Sequence, residues 1–427
     1  MIDRYSLSPI KELWEDDYRF NKMLEIEIKV CEKLCKDGVI PIKDFENIKK
    51  KASIDIKDIQ RKESTCRHET IAFIQSVSEK IGESSKYFHF GLTSSDVLDT
   101  ALSLVMRDSL EIILKNTDRL RKEVLKKAKR YSEVVILGRT HGMHAEPTTV
   151  GLKFLIWVYQ LERDIERLKS SLEIISYGKI SGSVGTYAQI KPSIEKYVCK
   201  ELGLKSPKIS TQILQRDRHA QYLFSLSMLG NTFEKIATEI RHLHRTEIGE
   251  LFEPFEENQK GSSSMPHKRN PILSERICGL SRVLRGNCLV GMENIPLWHE
   301  RDMSHSSAER IVLADSTCLT HFMLNDMLFI IKNMSISKEN IKKNLELSKG
   351  KIFSQSLMLK LVSKGMEKER AYDLVQKVSF ESEDFLKSIQ KIGVVNEYLS
   401  KNDLEEIFNY GYYTKHVEEI FKRFEKE

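Results

Sequence analysis

Between Val97 and Leu137 the chain has neither glycine nor proline, and Leu98, Leu102, Val105, Ile113, Leu120 and Val124 recur at near-helical spacing among charged residues. Side chains so spaced share one face of an α-helix, so the pattern predicts a long amphipathic helix. Comparable stretches run from about Thr148 to Ser176, from Thr211 to Phe252, and from Leu297 to Lys349, the last again free of Gly and Pro. A helix of about 30 residues extends about 45 Å, far beyond the usual three turns. Helices of that length need lateral partners along their whole extent. The expectation is therefore an all-α fold around a central long-helix bundle, shared between subunits.

The helical pattern breaks at SSKYFHFGLTSSD (84–96), GRTHGMHAEP (138–147), GKISGSVG (178–185) and the segment 253–271. These breaks suggest three helical domains: residues 1–93, a central long-helix domain 94–341, and a smaller C-terminal domain 342–427. No internal repeat or low-complexity tract interrupts them.

Composition narrows the class. At 427 residues the chain exceeds one ordinary core, and Gly (20) with Pro (9) is well below average usage, which favours long elements. Lys and Arg (68) nearly balance Asp and Glu (62), with both signs interspersed, so nothing reads as a nucleic-acid tail. The seven cysteines are odd in number and scattered without a Cys-x-x-Cys pair, which fits a reduced cytoplasmic compartment. The start, MIDRYSLSPIKELW, lacks the apolar core of a signal peptide, and no window is apolar enough to span a bilayer. A cytoplasmic protein with no membrane partner is expected.

The candidate chemistry sits at the breaks. Gly261-Ser-Ser-Ser-Met-Pro-His-Lys-Arg-Asn-Pro271 combines a flexible hydroxyl-rich loop, two adjacent cations and flanking prolines. Lys268, Arg269 and the Asn270 amide offer donors to a carboxylate or a developing oxyanion. The same residue types also suit a solvated turn ahead of a helix. His89-Phe-Gly-Leu-Thr-Ser-Ser-Asp96 places an imidazole and hydroxyls just before the long helix, with Thr93 and Ser94 at its positive end and Ser95 or Asp96 as cap.

Gly138–Pro147 holds His141 and His144 on what reads as a loop; no Cys or carboxylate cluster completes a ligand set, so no metal is expected and a general acid suits His141 better. Arg301 and Arg310, with Ser304, Ser306 and Ser307 between them, match phosphate oxygens at a helix start, with salt bridges to nearby acids as the competing use.

The DRYS start, RHE at 67–69, HFGLTSSD at 89–96, RTHGMHAEPTT at 139–149, STQILQRD at 210–217, GSSSMPHKRNP at 261–271 and WHERDMSHSSAERI from 298 together resemble the adenylosuccinate lyase family of the fumarase/aspartase superfamily. The motifs occur in that family's order and cover nearly the whole chain. The resemblance implies β-elimination of fumarate from adenylosuccinate and from its imidazole carboxamide precursor, SAICAR, with no cofactor, in purine nucleotide biosynthesis. It implies a homotetramer whose active sites draw on three subunits.

Residue by residue, the resemblance makes Ser262 the base, His141 the acid, Lys268 with Asn270 the stabiliser of charge, and Glu275 the group that orients the catalytic imidazole. His68 and His89 help to seat the succinyl and phosphate parts. Thr93, Ser94 and Gln212 contact the substrate, with Arg67 and Glu69 beside them; Arg4, Tyr5, Arg301, Ser306 and Arg310 hold the phosphate. Glu69 departs from the family's usual Asp, and its longer side chain is expected to shift His68 or the ribose contact. The runner-up is another superfamily lyase, argininosuccinate lyase or carboxymuconate cycloisomerase. A non-catalytic helical scaffold is the reading outside the enzymes, and the presence of Ser262, His141 and Lys268 speaks against it.

Overall fold

The computed structural model describes residues 2–424. The fold is helical, with long helices at Ser94–Arg130, Val150–Ile175, Asp217–His244, Ile272–Glu293 and Ser304–Asn333. Among the described residues four short strands form two small two-stranded antiparallel sheets: β1 (Val135–Thr140) with β2 (Met143–Thr149), and β3 (Leu251–Phe252) with β4 (Ser335–Ile336). The expected helix from Leu297 to Lys349 is instead three elements: the 304–333 helix, β4 and a helix at Lys338–Leu347. Absence of Gly and Pro permitted the run to continue; pairing of β4 with β3 ended it, a tertiary override of local propensity.

The chain divides into two compact units, with boundaries inside the long helices. The first comprises Met1–Asp118, Glu162–Glu234 and Ile277–Asp326. Its core joins Phe20, Met23, Ile26 and Val30 to Phe73, Val77 and Ile81, and to Val97, Ala101 and Leu104 at the start of the 94–130 helix. Phe20 stacks on Phe73 at 6.0 Å, and Phe73 meets Phe88 at the same distance, directly before His89. The first turn of the 94–130 helix is set by Asp96, whose Oδ2 accepts the Thr93 N–H at 2.8 Å. The other carboxylate oxygen, Oδ1, accepts from Lys179 Nζ at 2.6 Å and from the Ser181 and Gly182 amides, so the 178–185 break is tied to that helix start.

The second unit comprises Arg119–Leu161, Lys235–Arg276 and Met327–Glu427. Here the 138–147 break forms a β-hairpin, not a loop. Strand register runs Val135↔Thr149, Leu137↔Pro147, Arg139↔His144 and Thr140↔Met143. His141 and Gly142 make the tip with φ of 55° and 77°. Positive φ at both central residues is the turn that matches strand twist, and Gly142 supplies it without strain. The sequence concealed the hairpin because its tip residues are all exposed, leaving little alternation to read.

Candidate active site

In the second unit the hairpin tip carries His141, and its stem is fixed by Arg139. That guanidinium donates to both oxygens of Glu250 at 2.8 Å each, and Glu250 is fully buried. Asn344 donates from its amide to Glu250 Oε1 at 2.8 Å and to the Ile248 carbonyl at 2.9 Å. His144, on β2 opposite Arg139, has its pKa pulled down by burial and then by the Arg139 charge.

The 261–271 loop is held at both ends. Glu253 accepts the Leu273 and Ser274 N–H groups at 3.2 and 2.6 Å, so its carboxylate caps the 272–293 helix from a distant segment. His244 accepts the Glu253 N–H on Nδ1 at 3.3 Å and donates from Nε2 to the Arg269 carbonyl at 3.1 Å. Burial lowers its pKa, in keeping with a neutral ring that both accepts and donates. Inside the loop the Asn270 amide donates to the Gly261 carbonyl at 3.0 Å. A Cβ on Gly261 would lie 2.0 Å from the Lys268 carbonyl oxygen, so only glycine lets the two strands of the loop approach.

Ser262 Oγ accepts N–H groups of Ser264 and Met265 at 3.4 and 3.2 Å. Two backbone donors aimed at one hydroxyl oxygen favour its deprotonated form. Lys268 is exposed on the same loop, and Glu275 is exposed in the first turn of the next helix. Among the described residues no hydrogen bond joins Glu275 to His141.

The first unit gathers the candidate anchoring residues. His89 Nδ1 lies 2.6 Å from Glu27 Oε1, and its backbone N–H donates to Glu27 Oε2 at 3.2 Å. Burial pulls the His89 pKa down, but the hydrogen bond and charge of the fully buried Glu27 outweigh it, and the net shift is upward. His68 caps the Glu69–Ile81 helix, its Nδ1 accepting the Ile71 N–H at 3.4 Å.

Glu69 sits between two arginines. Its carboxylate accepts two hydrogen bonds from Arg19, at 2.9 and 2.6 Å, and two from Arg310, at 3.2 and 3.0 Å. Burial raises the Glu69 pKa, yet the two guanidiniums win and hold it down at about 2. Arg310 is thus placed by an ion pair, and Arg301 by a hydrogen bond from Nη1 to Gln212 Oε1 at 3.1 Å. Ser306 lies in the first turn of the 304–333 helix. Thr93 and Ser94 stand at the start of the 94–130 helix. Arg4 and Arg67 are exposed, and the Tyr5 ring packs edge-on to Phe322 at 5.1 Å.

Arg67, His89 and His141 all have positive φ. Such backbone is uncommon outside glycine, and here it coincides with three residues picked out by motif. Sequence reasoning missed Arg19, Glu27, His244, Glu250 and Glu253, which read as ordinary helix or loop residues. Among the described residues no group of three or more His, Cys, Asp or Glu side chains gathers to hold a metal. Nor is any described helix long and apolar enough to cross a membrane.

Comparison with known proteins places the chain among the lyases. A lyase family model matches residues 4–286, and a model of the adenylosuccinate lyase C-terminus matches residues 350–424. The fold is shared with a fumarate lyase from Mesorhizobium (TM-score 0.90, 21% identity, 99% of each chain). It is shared also with the 3-carboxy-cis,cis-muconate lactonizing enzyme from Pseudomonas putida (TM-score 0.88, 23% identity, 98% of this chain and 96% of the other). Adenylosuccinate lyase from Thermotoga maritima is 44% identical across all of both chains, and that from Bacillus subtilis is 46% identical across 99% of each. The chain belongs to the adenylosuccinate lyase family, and it is an enzyme.

Proposed function

We propose that the protein cleaves adenylosuccinate to AMP and fumarate, and SAICAR to AICAR and fumarate, in purine nucleotide biosynthesis. The observation that carries this reading is the full-length likeness to adenylosuccinate lyases in a chain that keeps His141, Ser262 and Lys268.

Ser262 Oγ takes the proton from the succinyl carbon next to a carboxylate. The electron pair moves into that carboxylate, giving a doubly charged aci-carboxylate. Lys268, Asn270 and the loop N–H groups stabilise this charge. The pair then returns to form the double bond of fumarate as the carbon–nitrogen bond breaks, and His141 protonates the departing nitrogen. The two N–H groups on Ser262 Oγ and the nearby Lys268 make a serine a usable base.

Arg4, Tyr5, Arg301, Ser306 and Arg310 hold the phosphate. His68 and His89 seat the succinyl and phosphate parts, and Thr93, Ser94, Gln212, Arg67 and Glu69 complete the surroundings. A His89 with a raised pKa suits an anionic ligand. Glu275 orients His141 from another subunit of a cytoplasmic homotetramer. Exposed apolar side chains on the long helices, among them Ile156, Phe224, Leu289 and Ile311, support such an assembly.

The test is fumarate release by the purified protein offered adenylosuccinate, SAICAR and argininosuccinate separately. Release from the first two alone is expected. Release from argininosuccinate alone would move the assignment to that lyase, and silence with all three would reopen the scaffold reading.

A further inference from the structure

Arg216 lies on none of the assigned contacts, yet it is buried within the first unit, with 3% of its surface exposed. All five of its N–H donors are used. Nη1 donates to Asp99 Oδ2 at 2.7 Å and to the Leu214 carbonyl at 2.9 Å, and Nη2 donates to Asp99 Oδ1 at 3.0 Å. Nε and Nη2 donate to the two oxygens of Glu309 at 2.9 and 3.2 Å. The carboxylates are themselves tied: Asp99 Oδ2 accepts the Leu214 N–H at 2.8 Å, and Glu309 Oε2 lies 3.0 Å from His305 Nδ1.

Each arm of this fork leads to one of the arginines of the anchoring site. Leu214 is two residues from Gln212, whose Oε1 receives Arg301. Glu309 precedes Arg310 directly and stands one turn after Ser306 on the same helix. Asp99 places the fork on the helix that begins at Ser94. A planar guanidinium bonded on both edges fixes angles as well as distances, which a lysine ammonium cannot do. A buried ionic cluster is a poor source of stability compared with well-packed apolar residues, so its value here is geometric.

We infer that Arg216 is a positioning residue that sets the spacing of Arg301 and Arg310, and so the preference for a substrate carrying a 5′-phosphate. The inference rests on the function proposed above.

The test compares adenylosuccinate with its dephosphorylated nucleoside, succinyladenosine, on the full-length enzyme and on Glu309→Gln, which removes one charge of the cluster and keeps its shape. The expected result is a rise in KM for the nucleotide of about tenfold, the size of one misplaced charged hydrogen bond. kcat should stay within about threefold and kcat/KM for the nucleoside within about twofold, so that the nucleotide preference falls about tenfold. General loosening of the fold would lower both substrates alike. If Glu309→Gln does not fold, Arg216→Lys is read in the same way.

A wild type that cleaves adenylosuccinate while the variant keeps its full nucleotide preference, or loses both substrates in proportion, overturns the inference and leaves the proposed function standing. A wild type that cleaves neither substrate and binds AMP no more tightly than adenosine overturns both.

Discussion

Arg139 and Glu250, 111 residues apart, face each other through two parallel hydrogen bonds of 2.8 Å, with the carboxylate fully buried. The pair anchors the stem of the hairpin two residues before His141. Removing one partner leaves the other buried and unpaired, which typically costs about 3–5 kcal/mol. Arg139→Met is therefore expected to lower the denaturation midpoint sharply and to reduce kcat. An unchanged midpoint would show that the pair does not support the hairpin.

The proposed proton-transfer pair is open to direct replacement. His141→Ala and Ser262→Ala should each lower turnover by about 10² to 10⁴ while the assembly stays intact by size-exclusion chromatography. Near-normal turnover in Ser262→Ala would remove serine from the role of base.

Glu275 and His141 make no hydrogen bond to each other within the described chain, although the reaction scheme pairs them. If they meet across subunits, mixing inactive His141→Ala and Glu275→Gln proteins under conditions that exchange subunits should recover activity. Hybrid oligomers that stay inactive would place both groups of a site on one chain.

Glu69 joins Arg310 to Arg19, and its pKa is held at about 2 against an ordinary 4.5. A depressed carboxylate adds stability that is present above its unfolded value and is lost as pH falls through its folded value. The gap in unfolding free energy between wild type and Glu69→Gln should hold above pH 4.5 and narrow toward pH 2, by roughly 3 kcal/mol. A gap that does not change with pH would mean that Glu69 acts by packing and not by charge. Arg310→Ala, by contrast, should chiefly raise KM for the phosphorylated substrate, and an unaltered KM would make Arg310 structural.

His89 titrates above its ordinary value because Glu27 outweighs burial. A raised histidine contributes stability present below the unfolded pKa and lost as pH rises through the folded one. In Glu27→Gln the imidazole resonances of His89 should titrate at lower pH than in wild type, and substrate binding should weaken first at the alkaline side. Identical titrations in the two proteins would remove Glu27 as the cause.

The elements were readable to different degrees. The helices at 94–130, 150–175, 217–244 and 304–333 were legible because apolar residues recurring at helical spacing carry their own period, whereas the 272–293 helix, which holds Gly279, Gly286 and Gly291, was not among the stretches read. The 135–149 hairpin was not, since its tip residues His141, Gly142, Met143 and His144 are exposed and offered no alternation. The break after Asn333 was also hidden, because it depends on pairing between β4 and β3, some 80 residues earlier in the chain.

By itself the sequence determined the helical class, the breaks at 84–96, 138–147, 178–185 and 253–271, and the candidate residues for the chemistry, since helix period, capping and motif spacing are local properties. Only the tertiary structure decided which charges meet: Glu27 with His89 across 62 residues, Glu69 with Arg310 across 241, and Arg216 with Asp99 across 117 and with Glu309 across 93. An acid on a helix face carries no local mark of its partner. Coulomb attraction becomes selective once packing has removed water and fixed the distance, and it is the folded core that does both.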